Sequence, residues 1–322
     1  MQYLFNTPIP VPWFLADILT LIVTVFVMIF VVKRSKHPVA ILLESLAFAF
    51  LYASVYENFA VVQKMYVYGH ALLMVGDVPL SVPLLEVDVL VTVLWLLEKM
   101  EIPTWCKPFI AGLFGMLQDF SLDPYATRQV FTVNGLTSGR WSWLLPKGAV
   151  NIYGVPVYNF PGWMLIMFYA TIFILIGRWW YRRSGYKAVV GIVYPFLMIF
   201  LALLTMVSPL SQFLLWLGPF FSKGSNAEWV MLGFHLLFPT ILLGVFWRGR
   251  MKYPISFKTD LPVFAVIFLF HLSDILFTIA GGYNKILWLV LLASVVHWAW
   301  LGWIYMAGRK VKAPKEEFLY GS

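Results

Sequence analysis

A chain of 322 residues with 61% hydrophobic and 12% charged residues lies far from soluble composition, where about half is apolar and about a quarter charged. That balance excludes an ordinary soluble domain and reads as an integral membrane protein. The net charge of +8 is read as membrane topology rather than nucleic-acid binding, because Lys and Arg gather in cytoplasmic loops, and the single cysteine, Cys106, excludes an internal disulfide or a thiolate metal cluster.

A membrane span needs roughly 20 largely apolar residues. Nine stretches qualify, at 13–32, 40–62, 78–97, 106–120, 161–180, 188–210, 228–247, 261–280 and 286–306. Asp17 interrupts the first and no basic segment precedes it, so this stretch is expected to remain in the mature chain rather than act as a signal peptide. The second carries Glu44 and Glu57, which are about 20 Å apart along a helix axis and so form no pair. Glu44, near the inner end, is expected to meet Lys33 or Lys36. Glu86 and Asp88 on the third are two residues apart and point roughly 160° away from each other. The fourth stretch is short and ends at Asp119. Asp119 and Asp123 are spaced to share a helix face, and Pro124 favours a break near Asp123.

Residues 118–161 form a connection of about 40 residues, long enough to imply a function, and rich enough in Trp and Tyr to argue for order. It holds Arg128, Arg140, Trp141, Trp143, Tyr153 and Asn159 beside the two aspartates. Among the later spans, His271 and Asp274 share a face, but one histidine and one carboxylate are too few for a metal site. An interhelical hydrogen bond is the expected role. No phosphate-binding glycine loop or Ser-His-Asp order is present. The whole of 1–322 reads as a single membrane domain with a charged, mobile tail at 310–322.

The basic residues test the count. Of the 23, 17 fall in the connections after spans one, three, five and seven and in the tail, and 6 on the opposite side. The positive-inside rule then gives an all-α polytopic bundle of nine spans, N-terminus outside and C-terminus cytoplasmic. Glu57, Glu86, Asp119 and Asp123 fall at one outer depth. They read either as a functional acidic cluster or as a loop clamp completed by Arg128 and Arg140.

Several blocks carry a resemblance. They are Glu57; Tyr66-Val67-Tyr68; Val78-Pro79-Leu80-Ser81-Val82-Pro83; Asp119-Phe120-Ser121-Leu122-Asp123-Pro124; Gly139-Arg140-Trp141-Ser142-Trp143; and Tyr153-Gly154-Val155-Pro156 running on to Asn159-Phe160-Pro161-Gly162-Trp163. Together they resemble the carotenoid-biosynthesis integral membrane family, which includes carotenoid 1,2-hydratases of the bisanhydrobacterioruberin hydratase kind. The resemblance covers about a third of the chain, from Glu57 to Trp163. It implies a redox-neutral addition of water to the end of a lipophilic isoprenoid, without a cofactor, a metal or nucleic acid. On that reading Asp119 or Asp123 is the acid, Glu57 and Asn159 position water, and Trp141 or Trp143 faces the cation. Tyr68, Tyr153 and Glu86 join them as substrate-binding candidates. An enzyme acting on another polyprenyl lipid, a transporter, or an accessory subunit of a membrane complex are the alternatives.

Overall fold

The computed structural model describes residues 9–133, 136–211, 226–311 and 319–321. Nine long helices fill them: α1 (Val11–Lys33), α2 (Pro38–Val62), α3 (Ser81–Lys99), α4 (Lys107–Ala126), α5 (Asn159–Arg183), α6 (Ala188–Met206), α7 (Ala227–Trp247), α8 (Phe257–Ala280) and α9 (Asn284–Gly308). Seven of them, all but α3 and α4, are long and apolar enough to cross a membrane. Their outward faces are apolar too: Phe26, Val189, Val230 and Leu237 are all exposed. That surface is stable only against a solvent as apolar as itself.

The two exceptions are the centre of the bundle. In α3, 16 of 19 residues are buried, and in α4, 17 of 20. A helix surrounded by protein is released from the hydropathy that lipid imposes, so these two can carry Glu86, Asp88, Asp119 and Asp123. α4 packs on α5 through two glycines. A Cβ on Gly112 would lie 2.5 Å from Met164 Cγ, and one on Gly115 2.6 Å from Met167 Cγ. Small residues at this spacing let two helix backbones approach closely.

Two expectations about α4 are corrected. The helix is not short, since a 3-10 turn at Thr104–Cys106 leads into Lys107 and the helix runs to Ala126. Nor does it break at Pro124. That proline sits within a turn of the C-terminus, and the Thr127 N–H still reaches Asp123 O at 3.0 Å.

The connections gather at two ends. At one, Lys99 donates to Asp260 at 2.5 Å, Arg178 reaches both Glu44 and Glu98, Glu101 N bonds Arg250 O, and Tyr320 is buried with its N–H on Arg34 O. Glu44 therefore pairs with Arg178 at 2.6 Å, not with Lys33 or Lys36, because α5 delivers a guanidinium to its side of α2. The expected mobile tail lies mostly outside the described residues, but the described part, at Tyr320, is held against the bundle.

At the opposite end short strands roof the helices. β1 (Tyr66–Tyr68), β2 (Met74–Val75) and β3 (Val78–Pro79) follow α2, and β4 (Val130–Val133), β5 (Leu136–Gly139), β6 (Trp141–Trp143), β7 (Asn151–Ile152) and β8 (Val155–Pro156) follow α4. The connection expected at 118–161 thus begins later, after Ala126, and is built of hairpins. β1 pairs antiparallel with β6 across the two connections, with Tyr66 opposite Trp143 and Tyr68 opposite Trp141.

Candidate functional site

Under the β1–β6 ribbon lies a cavity of about 250 Å³. Its walls come from α1, α2, α3, α4, α5, the end of α6 and the ribbon itself. In α2, the segment Phe48–Ala53 is a π-helical turn, and the Ser54 hydroxyl donates to Ala49 O at 2.7 Å. One extra residue in a turn rotates the helix beyond it, and Glu57 is 5% exposed on the inward face.

The ribbon meets Glu57 from above. Side chains two apart on a strand share a face, so Tyr66 and Tyr68 project together, and both hydroxyls donate to Glu57 Oε2 at 2.5 Å. Tyr56 donates to the other oxygen, Oε1, at 2.5 Å and lies 3.2 Å from Glu86 Oε1. Three phenols thus hold one carboxylate. Burial first, and the neighbouring Glu57 charge second, push the Tyr66 and Tyr68 hydroxyls well above the ordinary phenol range, so both remain donors.

The second centre is on α4 and α5. Asp119 and Asp123 share a face as their spacing requires, and Asn159, the first residue of α5, bridges them. Its Nδ2 donates to Asp119 Oδ2 at 2.8 Å and to Asp123 Oδ2 at 2.7 Å. Phe120 and Phe160 stack at 4.1 Å beside this bridge and fix the register of the two helices. Asp123 and Asn159 line the cavity, while Asp119 is fully buried behind them. Asp119 Oδ1 is a buried polar atom with no hydrogen-bond partner among the described residues, and the indoles of Trp143 and Trp141 approach the Asp123 carboxylate.

Trp141 and Trp143 of β6 line the cavity, with Trp163 of α5 and Leu85 of α3. Trp143 packs edge-on against Tyr66 at 4.6 Å and Trp141 against Tyr68 at 5.8 Å. The roof is fastened by Arg140. Its Nη2 pairs with Asp17 of α1 at 3.0 Å and its Nη1 donates to Trp13 O at 3.2 Å. Asp17 also accepts from Ser81 Oγ at 2.6 Å and Leu72 N at 3.0 Å. The clamp expected between Arg140 and the acidic cluster is therefore replaced. Arg140 serves Asp17, and Arg128 reaches Tyr153 O at 3.4 Å.

Of the residues singled out in the sequence, Glu57, Asp123, Asn159, Trp141, Trp143 and Tyr68 line one cavity. Asp119 and Glu86 stand directly behind it, through Asn159 and Tyr56. Tyr153 does not join them. It occupies the β7–β8 turn with φ +54, followed by Gly154 at +93, the two positive values that a tight hairpin demands. Its hydroxyl accepts from Trp288 Nε1 at 2.8 Å instead. Asp88 points the other way, as expected, and accepts from Thr24 at 2.7 Å.

Sequence reasoning missed Tyr56 and Tyr66 as ligands of Glu57. Tyr66 had a signal, its two-residue offset from Tyr68. It also missed Asp17 as the anchor of the roof. His271 and Asp274 are part of a larger chain than expected. Both reach Ser121 of α4, at 2.8 and 2.7 Å, and His271 Nε2 lies 2.9 Å from His297 Nδ1. Among the described residues no group of three or more His, Cys, Asp or Glu is arranged to hold a metal ion. Comparisons with family models, with curated proteins and with solved structures return no match.

Proposed function

We propose that this chain is a multi-pass cell-membrane enzyme that adds water across the terminal trisubstituted double bond of an acyclic isoprenoid, an acyclic carotenoid in the first instance. All nine helices cross the membrane in this reading, with the N-terminus outside and the C-terminus cytoplasmic. The observation that carries it is the Asn159 bridge between Asp119 and Asp123 at the wall of an aromatic cavity. Each block that resembles the carotenoid-biosynthesis family contributes to the cavity wall apart from the Tyr153–Pro156 turn, and Thr20, Met206 and Val207 line that wall too.

The chemistry follows from the donors. Two carboxylates on one amide in a buried site are poorly placed to hold two charges, and they share a proton. Asp123, which faces the cavity, gives that proton to the less substituted alkene carbon. The π electrons form the new C–H bond, and a tertiary cation remains. The faces of Trp141, Trp143 and Trp163 and the Glu57 carboxylate lower its energy by their negative potential. A water held by Glu57 or the Asn159 amide then attacks the cation. As the C–O bond forms, the water returns a proton to the aspartate pair. Hydrogen and hydroxyl are added and no electron is transferred, so the reaction needs no cofactor.

Expression in a host that makes acyclic carotenoids, with pigments read by liquid chromatography and mass spectrometry, tests the proposal. A mass gain of one water on the carotenoid, lost with Asp123→Asn, is the expected result. Hydration that persists in isolated membranes carrying both Asp119→Asn and Asp123→Asn would overturn the assignment.

A further inference from the structure

A second cavity, of about 580 Å³, opens at the other end of the bundle. Ser81 lines the first and Glu98 the second, so the two are separated by about 26 Å of α3. The character of the second cavity is opposite to the first. Lys107, Arg178, Arg182 and Lys252 line it against a single carboxylate, Glu98. Arg178 is committed to Glu44 at 2.6 Å and to Glu98, and these three groups together carry one net negative charge, which the remaining cations of the cavity outnumber. The positive potential in the cavity comes chiefly from Lys107 and Lys252, with Arg182 beside them.

We propose that this cavity binds a phosphate group carried on the headgroup of an anionic membrane lipid. Ammonium and guanidinium groups converging from α4, α5 and the segment after α7 suit a tetrahedral phosphate, which offers acceptors in several directions. The remaining wall fits a lipid rather than a free anion. Ile176 and Trp179 are 45% and 53% exposed on the outward face of α5, beside the basic groups, where acyl chains would lie. The Arg183 guanidinium stacks over Trp179 at 5.7 Å, adding positive charge at the rim. Basic pockets between helices on the cytoplasmic side are where anionic headgroups are held, and this is the end at which the 17 basic residues collect. The proposal stands independently of the reaction assigned to the other cavity.

The test is native mass spectrometry of the full-length protein in detergent, with phosphatidylglycerol or phosphatidylcholine added at equal concentration and inorganic diphosphate as a third arm. Phosphatidylglycerol is expected to be retained in preference to phosphatidylcholine. Lys107→Gln and Lys252→Gln are each expected to weaken retention by about fivefold, and diphosphate to displace the lipid. Lys252 is exposed on a connection, so Lys252→Gln reports on binding even where Lys107→Gln disturbs the fold, and thermal unfolding checks both. Retention of diphosphate without phosphatidylglycerol would keep the phosphate site but overturn a lipid as its occupant. Equal retention of both lipids, unaffected by Lys252→Gln, would overturn the proposal as a whole.

Discussion

Asp123 and Asp119 hang from the same amide nitrogen, so changing any of the three residues changes the other two. Asp123→Asn keeps the shape and removes the exchangeable proton at the cavity wall. It is expected to lower hydration by roughly 10²–10⁴-fold, the usual weight of a general acid, read as the yield of hydrated pigment per unit of membrane protein. Asn159→Leu removes the common donor and leaves two carboxylates unbridged. A cost of about 1–3 kcal/mol is expected for the orphaned acceptors, measured as a fall in the unfolding temperature in detergent. A fully stable Asn159→Leu protein would refute the bridge. At this scale the sequence was informative where chemistry is carried by one residue type. Glu57, Asp119, Asp123 and Asn159 stand out because charge and amide are conspicuous beside an apolar run. Tyr56 is not conspicuous in a chain with 16 tyrosines, and only the fold shows that its hydroxyl joins Glu57 to Glu86.

The β1–β6 ribbon is the element that makes a cavity out of helix ends. Its strands come from connections separated by two helices, and only three residue pairs join them, too few for a ribbon to stand alone in water. Arg140 and Asp17 supply the fastening. Arg140→Ala leaves Asp17 buried without its cation and is expected to cost about 3–5 kcal/mol, while Asp17→Asn in the same chain recovers part of it by removing the uncompensated charge. Thermal unfolding of the single and double variants checks this, and additive losses would argue against a direct pair. The α4–α5 contact makes a second prediction. Gly112→Val would drive a side chain into Met164, including its backbone oxygen at 2.8 Å, and separate Asp123 from Asn159. It is expected to reduce both folded yield and hydration. Gly162→Val, by contrast, should be tolerated in folding, because a Cβ there would meet nothing within 4 Å. The Tyr-x-Tyr and Trp-x-Trp blocks stood out in the sequence as motifs and not as strands, and nothing local says that they pair with each other. That information lies in the packing of helices far along the chain.

For the whole molecule, hydropathy located the seven helices that are long and apolar enough to cross a membrane, because lipid imposes a length and an apolar surface that side chains must obey, and the other two stretches fall on the enclosed helices α3 and α4. The reading is weakest for the fourth stretch. α4 is the most enclosed helix of the bundle and is released from that rule, so hydropathy understates its length. The same enclosure explains the buried ion pairs. Lys99 and Asp260 join α3 to α8, with Trp95 Nε1 also on Asp260 at 2.8 Å. Lys99→Met strands a carboxylate inside the protein and is expected to cost about 3–5 kcal/mol. Pairing it with Asp260→Asn should return part of that loss, as monitored by monodispersity and unfolding temperature in detergent. A Lys99→Met protein as stable as the parent would show that the pair contributes nothing to holding α3 and α8 together.

The pairing of distant charges also sets an order of events during synthesis. Asp17 waits for Arg140, Glu44 for Arg178 and Lys99 for Asp260, intervals of 123, 134 and 161 residues. At about 5–20 residues per second, Lys99 emerges roughly 8–30 s before its carboxylate. For the first half of that interval α3, one of the two helices least suited to lipid, has neither Arg178 for Glu98 nor Asp260 for Lys99. The early helices must therefore be kept together, near the insertion machinery or against one another, until the last third of the chain arrives. A nascent chain halted before Asp260 should accordingly be far more sensitive to membrane proteases than one halted after it.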